Sequence, residues 1–156
     1  MSNVCRMPKA RDIIIIIVGF VLMFVFSIIA KLIVTALGFS IISDTAVNGE
    51  PMLLVLRAVI QLVGEELIKF ISLIIVAAYL YKSIGRKTAI IIAIIISQVI
   101  FSLNHIPAYG FSILYLIITI GISSLILPFI YVKTKILTLC YIVHLLYDLL
   151  AFMSLL

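Results

Sequence analysis

The stretch from Ile13 to Ala36 reads IIIIIVGFVLMFVFSIIAKLIVTA and contains a single charged residue, Lys31. About 20 apolar residues are enough for a helix to cross the ~30 Å hydrocarbon core of a bilayer. A secretory signal peptide has a shorter apolar region that ends at a small-residue cleavage site. Because this stretch is longer, we expect a retained signal-anchor helix.

The rest of the 156-residue chain is nearly as apolar, with 66% of all residues hydrophobic and 11% charged. Soluble domains are roughly 45–50% apolar and about 25% charged. A soluble fold of this length could not bury so much apolar surface, so the composition predicts a single-domain, all-α, polytopic membrane helix bundle. The five predicted helices cover roughly residues 13–37, 52–81, 88–104, 111–132 and 136–155.

Polar or helix-breaking segments separate these helices at 40–51, 82–87, 105–110 and 133–135. Proline removes a backbone donor and restricts the residue before it, so Pro128 predicts a kink in the fourth helix. Lysine and arginine concentrate on cytoplasmic loops of membrane proteins. Here they lie at the N-terminus and on alternate loops, which predicts five spans with the N-terminus inside. Residues 12–38 would form an anchor helix, and 52–156 a four-helix core.

The net charge of +5 does not indicate a nucleic-acid partner, because the basic clusters are not interleaved with aromatic residues. Cys5 lies in the basic N-terminal tail and Cys140 in an apolar segment. We predict neither a disulfide nor a metal-ligand pair for them.

Glu65 and Glu66 lie near the middle of the second predicted helix, where a charge costs several kcal/mol. Lys69 lies one turn after Glu65 on the same face. An internal ion pair with Lys69 that fixes helix packing would explain one glutamate, but it would not explain the second. In the fifth helix, His144 and Asp148 share a face at a spacing of four, so the carboxylate can orient the imidazole. A simple packing hydrogen bond would also explain that spacing.

His105 at the end of the third helix has an ordinary interpretation as an interfacial polar residue. Taken together, however, these carboxylates and imidazoles could activate water and stabilise an oxyanion. They could equally form an oxygen and nitrogen metal site, with Glu65, Glu66, His105 and His144 as zinc ligands. We predict no cofactor, because two glutamates and two histidines can already carry out the proton transfers.

Three short motifs follow one another on separate predicted helices: EELIK at 65–69, FSLNH at 101–105 and HLLYD at 144–148. In this order and spacing they resemble the CPBP family of intramembrane proteases, also called the CAAX-protease and bacteriocin-processing, or Abi, family. Gly121 lies where that family usually has a glycine between the second and third motifs. The resemblance covers roughly residues 57–150.

The resemblance implies that Glu65 is the general base that activates water, helped by His105, with Glu66 in support. It implies that His144 and Asp148 bind the oxyanion. Lys69 and Phe101 would have supporting roles.

The chain departs from the family pattern at two of these positions. The family usually has arginine one position after Lys69, and asparagine at position 148. Lysine cannot form the bidentate fork of arginine, and an ionised Asp148 has no proton to donate.

Helix geometry gives an expectation about depth in the bilayer. At ~1.5 Å per residue from the basic loops, Glu65 and His105 lie ~24 Å and ~26 Å into the bilayer, and His144 only ~13 Å. We therefore expect His144 to lie below the other site residues.

We interpret the chain as an intramembrane endopeptidase of the bacterial plasma membrane. Its partners would be the bilayer and a membrane-associated peptide or protein, in peptide maturation or bacteriocin self-immunity. One alternative is a non-catalytic immunity protein that binds a membrane-active peptide. The other is an ion transporter, because intramembrane Glu, His and Asp also line ion paths. The sequence does not indicate the oligomeric state.

Overall fold

The fold is described from a computed structural model, which covers residues 6–40 and 51–153, with side chains given for 6–40 and 55–151. Every regular element in these ranges is helical, which confirms the all-α prediction. A short 3₁₀ helix, Ala10–Asp12, leads into α1, Ile13–Ala36. The predicted polar break with Asp44 and Glu50 lies outside the described residues, as does Cys5.

Two long helices follow, α2 from Pro51–Ile84 and α3 from Arg86–Leu103. They are joined by Gly85 alone, which adopts a φ of 77°. That left-handed conformation is readily available only to glycine, so one residue can reverse the chain between two helices. The helices consequently pack along each other and form the largest helix–helix contact of the protein.

The segment after α3 is broken into short pieces. It contains α4, Ile106–Tyr109, then α5, Ile113–Leu116, then a π-helical turn, Ile117–Gly121, and finally α6, Ile126–Thr134. The single predicted helix at 111–132 is thus divided, with a bend of 48° between its two halves. Pro128 lacks the N–H that would bond to the carbonyl of Ser124, so the bend just before α6 has a direct cause.

The last helix, α7, runs from Leu137–Met153 and packs against α1, α2 and α6. The Tyr147 hydroxyl donates to Ser27 Oγ of α1 at 2.6 Å, and the Tyr141 hydroxyl donates to the Val59 carbonyl of α2 at 3.0 Å. Gly19 of α1 allows a close approach of both α6 and α7, because a Cβ there would lie 2.7 Å from Ile130 Cδ1 and 3.1 Å from Val143 Cγ2. These contacts fix α7 between the N-terminal helix and the helix with the glutamates.

Large apolar side chains cover the outside of the bundle, for example Ile14, Leu32, Ile60 and Ile75. This arrangement suits a lipid solvent, and the chain is an integral membrane protein. Within the described ranges, two helices are long and apolar enough to cross a membrane, Ala10–Ala36 and Arg86–Leu103. A third span is present if the bent pair Ile113–Gly121 and Ile126–Thr134 crosses as one unit. The predictions of five spans and of an internal N-terminus stay predictions.

Candidate active site

The adjacent glutamates of α2 point in different directions, because neighbouring residues on a helix are ~100° apart. Glu66 is 1% exposed and its Oε1 accepts two hydrogen bonds. One comes from Lys69 Nζ at 2.8 Å and the other from His144 Nδ1 at 2.7 Å. Since Lys69 is itself fully buried, this cluster is a buried ion pair that also joins α2 to α7.

Glu65 has different partners. Its Oε1 accepts a hydrogen bond from Gln61 Nε2, one turn earlier on α2, at 2.8 Å. Its Oε2 lies 3.8 Å from His105 Nε2, which is too far for a direct hydrogen bond. A water molecule placed beside both atoms could contact each at about 2.8 Å.

The tautomer of His105 follows from its backbone contact. His105 Nδ1 lies 2.9 Å from the Phe101 carbonyl. A carbonyl oxygen can only accept, so Nδ1 carries the hydrogen, and in the neutral ring Nε2 keeps a free lone pair. That lone pair faces Glu65, and the pair therefore offers two proton acceptors to one water molecule.

Phe101 lies between the two carboxylate–imidazole pairs. Its ring centroid is 4.8 Å from that of His105 and 5.9 Å from that of His144, both edge to face. Lys69 Nζ lies 3.8 Å from the same centroid, within the range of a cation–π contact. Phe101 thus contacts the buried ammonium and both imidazoles.

Asp148 is the most accessible of the predicted site residues, with a side chain that is 31% exposed. Its Oδ1 lies 3.8 Å from His144 Nε2, close enough for electrostatic attraction but not for a direct hydrogen bond. His144 therefore lies between Glu66 on one ring nitrogen and Asp148 on the other.

The structure brings all five predicted site residues into one region, together with Lys69 and Phe101. The expectation that His144 lies well below the glutamates is wrong, since it contacts Glu66 directly. Two hydrogen bonds join α2 and α7, Val59 with Tyr141 and Glu66 with His144. The residue numbers therefore rise together along both helices. Helices running antiparallel side by side would pair in the opposite order, so α2 and α7 do not pack in that way. Distances counted along each helix therefore do not give comparable depths.

Gln61 is a site residue that the sequence analysis missed. A glutamine four residues before a glutamate lies on the same helix face and can reach its carboxylate, so the spacing was a usable signal. The ion-pair explanation applies to Glu66 and Lys69: Lys69 and His144 both bind Oε1 of Glu66, while its buried Oε2 has no hydrogen-bond partner among the described residues. The ion-pair explanation does not account for the buried carboxylate of Glu65.

The predicted zinc ligands divide between the two pairs. Glu65 and His105 lie on one side of Phe101, and Glu66 and His144 on the other. In the part of the chain that the structure describes, no three His, Cys, Asp or Glu residues are grouped in a way that could hold a metal ion.

Comparisons with known proteins agree with the motif pattern. The sequence model of the Rce1-like family, described as type II CAAX prenyl endopeptidase Rce1-like, matches residues 47–150. That range contains all three motifs and confirms the resemblance. No curated protein and no solved structure matches the chain.

Proposed function

The chain belongs to the Rce1-like family of type II CAAX prenyl endopeptidases, and we propose that it hydrolyses peptide bonds with a water molecule activated by Glu65 and His105. The observation that carries this proposal is the 3.8 Å separation of Glu65 Oε2 and His105 Nε2. Both groups keep an unused acceptor in a largely buried position, and such a pair can bind and deprotonate one water molecule.

The proposed reaction begins when this water attacks the carbonyl carbon of the scissile peptide. Its proton passes to Glu65 or His105, and the carbonyl becomes a tetrahedral oxyanion. When the carbon–nitrogen bond breaks, the same group returns the proton to the leaving amine. The products are a new carboxylate and an ammonium group, which together contain both protons of the water. Because water rather than a side chain attacks, no covalent enzyme intermediate forms.

The oxyanion would be stabilised by His144. Its Nδ1–H donates to Glu66, and in the charged ring Nε2–H also donates. Asp148 Oδ1 lies 3.8 Å from this nitrogen and can orient the ring. An ionised Asp148 can therefore support the reaction through His144, without donating a proton itself.

For substrates, we propose membrane-associated peptides or proteins, cleaved close to the membrane surface. The family description names prenylated CAAX chains, and bacterial leader peptides offer the same geometry of an anchored, extended segment. We place the chain in the bacterial plasma membrane, in peptide maturation or bacteriocin self-immunity.

The test uses the purified chain in proteoliposomes with a farnesylated CAAX peptide, the same peptide without lipid, and a leader-peptide precursor. Mass spectrometry identifies the cleavage products. The inactive reference is the double variant Glu65→Gln/His105→Gln, and the matched control is Lys82→Gln, which removes an exposed charge from the same helix.

We expect the wild type and the control to cleave at least one anchored peptide and the double variant to cleave none. The same products from the double variant would overturn the proposal. So would the absence of any product that depends on Glu65, both in this assay and in a comparison of membrane peptides from cells that express each form.

A non-catalytic immunity protein is the second candidate, and Asp148 in place of the family's asparagine favours it. Such a protein would bind a membrane-active peptide without cleaving it. Cells that express Glu65→Gln would then survive the peptide as well as cells with the wild type, whereas the hydrolytic function predicts that protection is lost.

A further inference from the structure

A groove of about 420 Å³ lies between α2, α3 and the end of α6, apart from the carboxylate–imidazole pairs. Its inner wall is apolar, with Leu73 and Ala77 on α2 and Ile90 on α3. The volume falls within the ~300–1,000 Å³ of small-molecule sites in proteins. Along α2 the groove runs from Leu73 to Tyr81, which is ~12 Å.

Two exposed cations, Arg86 and Lys135, also line this groove. Arg86 begins α3, and Lys135 follows α6 in a left-handed conformation that places it at the turn into α7. The ion pairs of the described acidic residues are all made elsewhere. Within residues 6–40 and 51–153, neither groove cation therefore has an acidic partner.

We propose that this groove binds an anionic phospholipid, with an acyl chain along the apolar wall and the phosphate between Arg86 and Lys135. Basic pockets between membrane helices on the cytoplasmic side bind anionic headgroups in this way. The positive-inside rule, applied to the chain's own basic clusters, assigns this end of the bundle to the cytoplasmic leaflet. The ~12 Å length also suits a chain from one leaflet, which fills about half of a ~30 Å core.

The groove is separate from the proposed reaction. Its inner end at Leu73 lies eight residues, or ~12 Å, from Glu65 along α2. Lys69 and Phe70 are buried between the two. A phosphate held by Arg86 and Lys135 is therefore far from the water-activating pair, and lipid binding can be measured without any cleavage.

The experiment measures lipid retention by native mass spectrometry. Wild-type protein is purified from bilayers of equal parts phosphatidylglycerol and phosphatidylcholine, and the ratio of the two retained lipids is recorded. The test variant is Arg86→Gln/Lys135→Gln. The matched control is Lys82→Gln/Lys87→Gln, which removes the same charge from the same end of the bundle but not from the groove. Ala77→Leu places a larger side chain on the apolar wall, which narrows the groove, and leaves both cations in place.

We expect the wild type and the control to retain phosphatidylglycerol preferentially, and the test variant to lose about tenfold of that preference. Ala77→Leu should reduce the retention of both lipids. Equal loss in the test variant and the control would overturn the proposal, because the preference would then reflect only the overall charge. Displacement of the lipid by a farnesylated peptide would overturn it too, since the groove would then hold the substrate's lipid.

Discussion

The two carboxylate–imidazole pairs are built from neighbouring glutamates, yet they differ in their hydrogen bonds. In the closed pair, Glu66 and His144 are joined at 2.7 Å, and Lys69 binds the same carboxylate oxygen at 2.8 Å. In the open pair, Glu65 and His105 are 3.8 Å apart. The closed pair is almost fully buried, whereas the His105 side chain is 17% exposed.

This difference shows how a single glutamate pair can serve two purposes. A buried charge is tolerable when hydrogen bonds and an opposite charge stabilise it. In the closed pair Lys69 and His144 provide both at Oε1 of Glu66, and Oε2 is left without a partner in the part of the chain that the structure describes. The open pair leaves an acceptor unused on each partner, which costs stability and provides a place for water. We infer that the closed pair holds α2 and α7 together and prepares His144, while the open pair carries out the chemistry.

The largest effect, on catalytic rate, should come from replacing one glutamate at a time with glutamine, which removes its charge. We expect Glu65→Gln to lower kcat/KM about 10³-fold, because general-base catalysis contributes roughly 10²–10⁴. Its thermal unfolding should stay close to that of the wild type. Glu66→Gln should instead lower the unfolding temperature. The comparison fails if Glu66→Gln unfolds like the wild type and is the less active of the two.

Lys69 gives the next largest effect, on stability. Lys69→Met removes the ammonium that pairs with buried Glu66, and we expect a loss of about 3 kcal/mol in the free energy of unfolding. This lies at the low end for a broken buried pair, since His144 remains as a partner. Equilibrium unfolding of both proteins in mixed detergent measures this difference in the free energy of unfolding.

A double variant separates the charge from the volume. Glu66→Gln/Lys69→Met removes both charges, and we expect it to be more stable than Lys69→Met alone. If the double variant is the less stable one, the contact with Phe101 rather than the ion pair accounts for the role of Lys69.

Gln61 provides a smaller test of the open pair. The amide fixes Oε1 of Glu65 at 2.8 Å and so directs Oε2 toward His105. We expect Gln61→Leu to lower kcat about tenfold with little change in KM, because one hydrogen bond to a charged group is lost. Ile60→Leu, on the same exposed side of α2, is the control. An unchanged kcat in Gln61→Leu would show that Glu65 needs no such support.

The sequence predicts the helix order well because a membrane helix is recognised by a long apolar run between polar breaks. Four of the five predicted helices lie within a few residues of α1, α2, α3 and α7. The fourth was harder, because its π turn packs closely against α3. A Cβ on Gly121 would lie 2.9 Å from Ser102 Oγ of α3, and no local pattern contains that information.

The site was predictable as a set of residues but not as two pairs. Spacing identified Glu65, Glu66, His105, His144 and Asp148, since the residues of each motif lie on one helix or, for His105, just beyond its end. Which histidine meets which glutamate depends on how α2 and α7 pack. Counting the rise along each helix assumed that they run side by side, and so it placed His144 too low.

The smallest effect should come from removing metal ions. Oε1 of Glu66 already accepts from Lys69 and His144, and Oε1 of Glu65 accepts from Gln61. The free nitrogens of His105 and His144 face different carboxylates, Glu65 and Asp148. A shared zinc ion would require both rings to turn toward one point, whichever carboxylate oxygens bound it. We therefore expect cleavage by protein incubated with 1,10-phenanthroline to stay within about twofold of the untreated rate. If the chelator abolished activity and added zinc restored it, the open and closed pairs would belong to a single metal centre. The distinction between them would then no longer hold.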